Sequence, residues 1–161
     1  MRKNNNMDIN SSPPFELLLR VRYSECDAQE VVFNARYADY ADLAATEFMR
    51  EVVGGYQNLI SEGLDNQVVN LNISWQSSAK FDDILCLSVH VSLVGNTSFS
   101  LQITMIDWLT KQAIASAEIV YVMLDIASFT KIAISQTMRD KLLKGANGKR
   151  TNMSGIEVST Q

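Results

Sequence analysis

The sequence predicts an α+β domain in which one long helix precedes a run of antiparallel strands. Three observations carry that expectation. A period-two run opens the patterned part of the chain, a helical period takes over near Asn34, and four more alternating runs follow with short turns between them. The arrangement that buries these faces is a curved antiparallel five-stranded sheet wrapped around one long central helix.

Each element has its own signal. Phe15, Leu17, Leu19, Val21 and Tyr23 alternate in "FELLLRVRY", a half-buried first strand. Phe33, Tyr37, Tyr40, Ala41, Ala44, Ala45, Phe48 and Val52 then fall on one helical face, with Asn34 as the expected N-cap and Gly54-Gly55 as the stop. The small residues on that face predict close packing against a sheet. "QVVNLNISWQS" sets Val69, Leu71, Ile73 and Trp75 on one side of a second strand. "ILCLSVHVSLV" sets Leu85, Leu87, Val89, Val91 and Leu93 opposite Cys86, Ser88, His90 and Ser92. Gly95-Asn96 marks a hairpin into Phe99, Leu101, Ile103 and Met105. A turn at Leu109-Thr110-Lys111 leads into "AIASAEIVYVMLD", and "SQTMRDKLL" is a short closing helix.

The flanks read differently. Residues 1–14 are polar and end in Ser-Ser-Pro-Pro, which forbids a helix, so they are expected to form a flexible tail. Residues 145–161, rich in Gly, Ser, Thr and Asn, are expected to form a second flexible tail, leaving 15–144 as one domain. One helix cannot cover both faces of such a sheet, and an open edge invites a second copy. A homodimer or homotetramer is therefore expected.

Composition removes several function classes. With 47% hydrophobic and 20% charged residues, the 161-residue chain suits one soluble domain with a real core. No run reaches the roughly 20 apolar residues of a membrane helix, and the N-terminus lacks a secretory apolar region, so no membrane partner and a cytoplasmic location are expected. A net charge of −4 argues against a nucleic-acid surface. Cys26 and Cys86 lack a Cys-x-x-Cys pattern or a neighbouring histidine, and His90 is the single histidine. Neither a metal site nor a disulfide is expected.

Chemistry concentrates in "YSECDAQEVVFNARYADYADLAATEF", where Asp27 precedes the apolar step Val31-Val32-Phe33. An acidic loop of this kind is either an ordinary solvated helix entry or a carboxylate held at the mouth of an apolar slot. A second segment, "AKFDDIL" from Ala79 to Leu85, enters the third strand.

These two segments resemble the hotdog-fold acyl-CoA thioesterases, in particular the 4-hydroxybenzoyl-CoA thioesterase family, over residues 15–125. Tyr23, Asp27, Val31-Val32-Phe33 and Tyr37 occupy the places of the family's first motif, and Ala79-Lys80-Phe81-Asp82-Asp83-Ile84-Leu85 matches its second. The resemblance implies hydrolysis of an acyl-CoA thioester to a carboxylic acid and CoA, at sites on a dimer interface. Asp27 is then the nucleophile or general base. Amides at the helix start, at Val32, Phe33 and Ala35, are candidate oxyanion donors. Asn34 would orient carbonyl or water, Val31 and Tyr37 would line the substrate site, and Lys80 stands where relatives carry Arg or Lys for CoA phosphates. CoA enters as substrate, and no further cofactor is implied.

Two positions depart from the family pattern: Glu30 replaces a glycine, and Asn34 replaces His or Tyr. Asn34 serves equally as an N-cap, Asp42 and Glu47 as helix-surface or intersubunit charges, and Asp82 and Asp83 as turn formers. Tyr37 and Tyr40 fit the core or an interface. Arg139, Lys141, Lys144, Lys149 and Arg150 are further cations for phosphate, or plain solubilising charge. A non-catalytic acyl-CoA-binding or assembly module on the same fold is the alternative, and an acyl carrier protein remains open as the thiol carrier. A hydratase on this fold ranks lower, because the long helix has no histidine.

Overall fold

A computed structural model describes residues 12–159. Strand β1 (Phe15–Arg20) is followed by a single 3-10 turn at Tyr23–Glu25 and the 18-residue helix α1 (Arg36–Val53). Helix α2 (Tyr56–Ser61) leads to β2 (Leu64–Trp75), β3 (Ile84–Val94), β4 (Ser98–Asp107) and β5 (Ala113–Asp125). The two-residue strand β6 (Thr130–Lys131), helix α3 (Gln136–Lys144) and strand β7 (Arg150–Met153) complete the chain.

The strands form one sheet in the order β2-β5-β4-β3-β1-β7, with β6 beside β5. The expected fold class therefore holds in its mixed α+β character and needs correction in its details. All five expected strands are present, but the sheet has seven, and two short helices accompany the long one. Alternation could not reveal β6 or β7, because strands of two and four residues carry too little period to read.

Helix α1 packs across β1, β2, β3 and β4. Its buried residues are Tyr37, Tyr40, Ala41, Ala44, Ala45, Phe48, Met49 and Val53. The alanines let the helix approach the sheet, where Leu17, Leu19, Leu85, Leu87, Leu101, Ile103 and Met105 face it in one core. Burying each of these large side chains contributes about 1.5–3 kcal/mol. Gly54, at φ 82°, closes the helix in the left-handed conformation that glycine adopts without a Cβ clash.

Three expectations are corrected here. Asn34 is not the N-cap: Ala35 holds that position without a side-chain cap, because the turn at residues 33–38 tightens through Arg36 N–H to Phe33 O and Ala38 N–H to Ala35 O. Phe33 is 48% exposed rather than on the buried helical face, since it precedes the first helical turn. A register shift between Val68 and Asn70 breaks the alternation of β2, and most of that outer strand is exposed.

Of the expected N-terminal tail, residues 1–11 lie outside the described residues. The segment 145–161 contains β7, which runs parallel to β1 and pairs Glu16 through Leu19 with Arg150 through Met153. Main-chain hydrogen bonds and the Arg150–Glu16 ion pair form this strand. Among the described residues no helix is long and apolar enough to cross a membrane.

Candidate active site

The path from β1 to α1 is a tightly cross-bonded loop. Asp27 N–H donates to Val31 O at 2.9 Å and Phe33 N–H to Glu25 O at 2.9 Å, which pairs Cys26 with Val32 in an isolated bridge. Val32 N–H donates to Ala79 O at 2.9 Å, tying the loop to the segment before β3. Between the two legs, Glu30 N–H reaches Asp27 O at 2.9 Å. Glu30 closes this turn at φ 61°, in the left-handed region that favours glycine. Glu30 thus adopts, with its side chain, the left-handed conformation suited to the glycine that the resemblance implies at this position.

The half-buried Asp27 side chain is held at one oxygen only. Its Oδ1 accepts the Gln29 N–H at 2.8 Å, and its Oδ2 accepts nothing among the described residues. Asp27 lines two separate cavities. One, of about 380 Å³, is also walled by Val31, Phe33, Asn34, Tyr37, Trp75 and Ser77. The other, of about 540 Å³, is walled by Tyr23, Cys26, Glu30, Lys80 and Phe81. A carboxylate on the wall of a cavity, with one oxygen anchored and the other without a hydrogen-bond donor among the described residues, can accept a proton from water or attack an electrophile there.

Glu25, two residues earlier, is 5% exposed and fully engaged. Its Oε2 accepts the Arg22 N–H at 2.7 Å and the Tyr40 hydroxyl at 2.8 Å, and its Oε1 accepts Arg22 Nε and Nη2 at 2.9 and 2.7 Å. Burial pushes this carboxyl upward, but the hydrogen bonds from Arg22 and Tyr40 outweigh it and hold Glu25 below the ordinary glutamate value. The Tyr40 phenol is pushed far above its ordinary range, by burial first and by the Glu25 carboxylate second. Tyr37 Oη accepts the Ala79 N–H at 3.3 Å, and burial raises this phenol as well. Glu25 and Tyr40 anchor the loop to α1, while Tyr37 and Val32 anchor it to Ala79.

The structure brings together Asp27, Val31, Val32, Phe33, Asn34 and Tyr37 around one cavity, and places Lys80 with Asp27 around the other. The amides need revision. Val32 and Phe33 N–H groups already donate within the loop, so they are spent as oxyanion donors. Asn34 and Ala35 N–H groups have no acceptor among the described residues, which leaves Ala35 from the expected set and adds Asn34. Outside this site, Asp82 pairs with Arg20 at 2.7 Å, and Asp83 Oδ2 accepts the Lys80 N–H at 2.7 Å, so both shape the turn into β3. Glu47 pairs with Arg50, exposed Asp42 lines a small cavity with Tyr56 and Tyr121, and His90 lies exposed on β3.

Three features went unread in the sequence. Glu25 carried a faint signal in the Arg22–Glu25 spacing, but nothing local pointed to Tyr40. Trp75 reaches the Asp27 cavity from the end of β2 and meets Tyr37 edge-to-face at 6.4 Å, a contact between residues 38 positions apart. Tyr23 and Phe81 meet edge-to-face at 5.9 Å beside Lys80. No group of three or more His, Cys, Asp or Glu side chains among the described residues is arranged to hold a metal.

Residues 29–108 match the family model described as the thioesterase superfamily. The chain is 37% identical over 81 residues to the acyl-CoA thioesterase YbgC of Haemophilus influenzae, a match covering 50% of this chain and 60% of that protein. The chain thus spans about three fifths of that relative's length. It is 25% identical over 124 residues to the long-chain acyl-CoA thioesterase FadM of Escherichia coli, covering 77% and 93% of the two chains. Among solved structures, the probable thioesterase YbaW of Escherichia coli superposes with a TM-score of 0.74 at 23% identity, over 82% of this chain and 98% of that one. At that identity the likeness establishes the hotdog fold alone.

Proposed function

We propose, on the premise that this chain belongs to the thioesterase superfamily, that it hydrolyses an acyl-CoA thioester to the free acid and CoA with Asp27 as the reacting carboxylate. The observation that carries this reading is the placement of Asp27: one oxygen is fixed by Gln29 N–H, and the residue lines two cavities. YbgC and FadM, both named as acyl-CoA thioesterases, support the substrate class.

The chemistry balances with protein groups and water alone, and calls on no cofactor. In the general-base route, water attacks the thioester carbon and passes a proton to Asp27 as the carbonyl electrons move onto oxygen. Collapse of that intermediate breaks the C–S bond, and the departing thiolate recovers the proton from Asp27. In the nucleophilic route Asp27 itself forms the new C–O bond and expels thiolate, and water then cleaves the mixed anhydride. Either way the oxyanion needs donors. The amides of Asn34 and Ala35 at the start of α1 are the available pair, supported by the helix dipole, and the Asn34 side-chain amide stands nearby to orient carbonyl or water.

The site is open on the side of β2, and this favours a homo-oligomer. Trp75 is 53% exposed, and it belongs to the outer strand of the sheet, whose far edge is unpaired among the described residues. A second copy along β2 would cover Val68, Val69, Leu71 and Trp75 together and complete a wall of the 380 Å³ cavity.

Steady-state thiol release from acetyl-, hexanoyl-, palmitoyl- and benzoyl-CoA tests the reading. The wild-type protein should turn over at least one member, and Asp27→Asn should lower kcat by roughly 10²–10⁴-fold. A folded wild-type protein that releases thiol from none of them would favour a non-catalytic acyl-CoA-binding module.

A further inference from the structure

The loop before α1 carries two groups whose spacing matters. Asp27 lies on its first leg, and the amides of Asn34 and Ala35, which have no acceptor among the described residues, stand at the end of its second. Resting on the reading above, we infer that Glu25 is a positioning residue for the reaction. Its main chain joins the two legs, its carboxylate pins that joint to α1 through Tyr40, and together they set the spacing between Asp27 and the helix-start amides.

The main-chain half of the joint is short. Glu25 O accepts the Phe33 N–H at 2.9 Å, so one hydrogen bond links the residue two before Asp27 to the residue immediately before Asn34. Cys26, next in the chain, is bridged to Val32. The two legs are attached to the helix in different ways. The second leg is continuous with α1 and bonded into it, through Arg36 N–H to Phe33 O and Tyr37 N–H to Asn34 O. The first leg reaches α1 by a single side-chain hydrogen bond among the described residues, the Tyr40 hydroxyl to Glu25 Oε2 at 2.8 Å. Without it the first leg can slide against the second, and Asp27 moves with it.

The side-chain half is built to resist that sliding. Tyr40 is 3% exposed and packs edge-to-face on Tyr37 at 5.8 Å, so its hydroxyl is held from the core side. Arg22 fills the other acceptor positions of the carboxylate from the exit of β1, but its own side chain is largely exposed. Stability alone does not call for a carboxylate here, because well-packed apolar residues often replace a buried ion pair without loss. Directed bonds to three segments do call for one. A misplacement of about 1 Å at a reacting centre can cost on the order of 10²-fold in rate, so a clamp two residues from Asp27 bears on turnover.

Kinetics on the full-length protein, run well below every variant's melting point, separate this role from plain stability. Tyr40→Phe should lower kcat about tenfold and change KM by less than about twofold. Glu25→Gln keeps the volume and one acceptor oxygen and should show the same split, so the test does not hang on one variant folding. Ser135→Ala removes the cap of α3, where the hydroxyl accepts the Met138 N–H at 3.2 Å, and is the control for lost stability alone. It should lower the melting point and leave kcat unchanged. In an Asp27→Asn background, Tyr40→Phe should lower the residual rate by less than about twofold while still lowering the melting point, because the spacing no longer matters once one member is gone.

A kcat in both Tyr40→Phe and Glu25→Gln equal to that of the Ser135→Ala control would overturn the inference, and so would a tenfold loss that persists in the Asp27→Asn background. Either result leaves the thioesterase reading standing, since wild-type turnover and its dependence on Asp27 are measured in the same series. A wild-type protein that releases no thiol from any acyl-CoA overturns that reading first and removes the positioning role with it.

Discussion

Glu30 and Glu25 show how differently two acidic residues in one loop behave. Glu30 sits at φ 61°, where a side chain costs about 1 kcal/mol relative to glycine. Glu30→Gly should therefore raise stability by at most about 0.5 kcal/mol in urea unfolding, because the extra freedom of glycine in the unfolded chain offsets about 0.5–1 kcal/mol of the relief. Glu25 is buried, and the Tyr40 hydroxyl is one of its donors. Tyr40→Phe should cost about 1–3 kcal/mol at neutral pH. The sign of the pH dependence follows from the folded-state carboxyl lying below the ordinary value of 4.5. The folded chain binds that proton less readily than the unfolded chain, so the contribution is complete above 4.5 and is lost as pH falls through the folded-state value. Thermal melts between pH 7 and pH 3 should show the deficit of Tyr40→Phe shrinking as the pH drops. Asp27 stood out in the sequence because it lies inside the first of the two motifs. Glu25 was not, since its meaning depends on Tyr40, which the fold brings back from 15 residues away.

At the scale of elements, the long period-two and helical runs were readable because each face is repeated several times. Strands β3 and β5 coincide with their alternating segments, and α1 ends at the glycine pair. Short or irregular elements were not. Strand β7 has four residues and an unremarkable composition, and it exists because β1 offers it a free edge. Shortening the chain after Lys149 would strip that edge and the Arg150–Glu16 pair. Such a chain should melt several degrees lower, by about 4–8 °C for each kcal/mol lost in a small domain, with loss of hydrogen-exchange protection along β1. The amides at the start of α1 belong to this scale too. The helix start was read one residue early, at Asn34 rather than Ala35, and which of its amides are free was not legible, because Ala79 and Glu25 carbonyls claim Val32 and Phe33.

For the whole molecule, the proposed second copy explains why an outer strand carries so much apolar surface. Leu71 is 40% exposed on β2, beside Val68, Val69 and Trp75. If β2 is the joining edge, Leu71→Lys should shift the protein to monomer in light scattering and lower activity at dilute concentrations, while Asp27 itself is untouched. A monomeric wild-type protein of full activity would remove the second copy from the site. Sequence by itself determined the α+β class, the five main strands, the long helix and the position of Asp27, because hydrophobic period and local motifs act over a few residues at a time. Tertiary structure alone decided that Asp27 lines two cavities, that Glu25 is locked by Tyr40, and that Trp75 and the Tyr23–Phe81 pair stand on the walls of those cavities. Those outcomes depend on groups far apart in the chain competing for the same space and the same hydrogen bonds, and only the folded packing settles that competition.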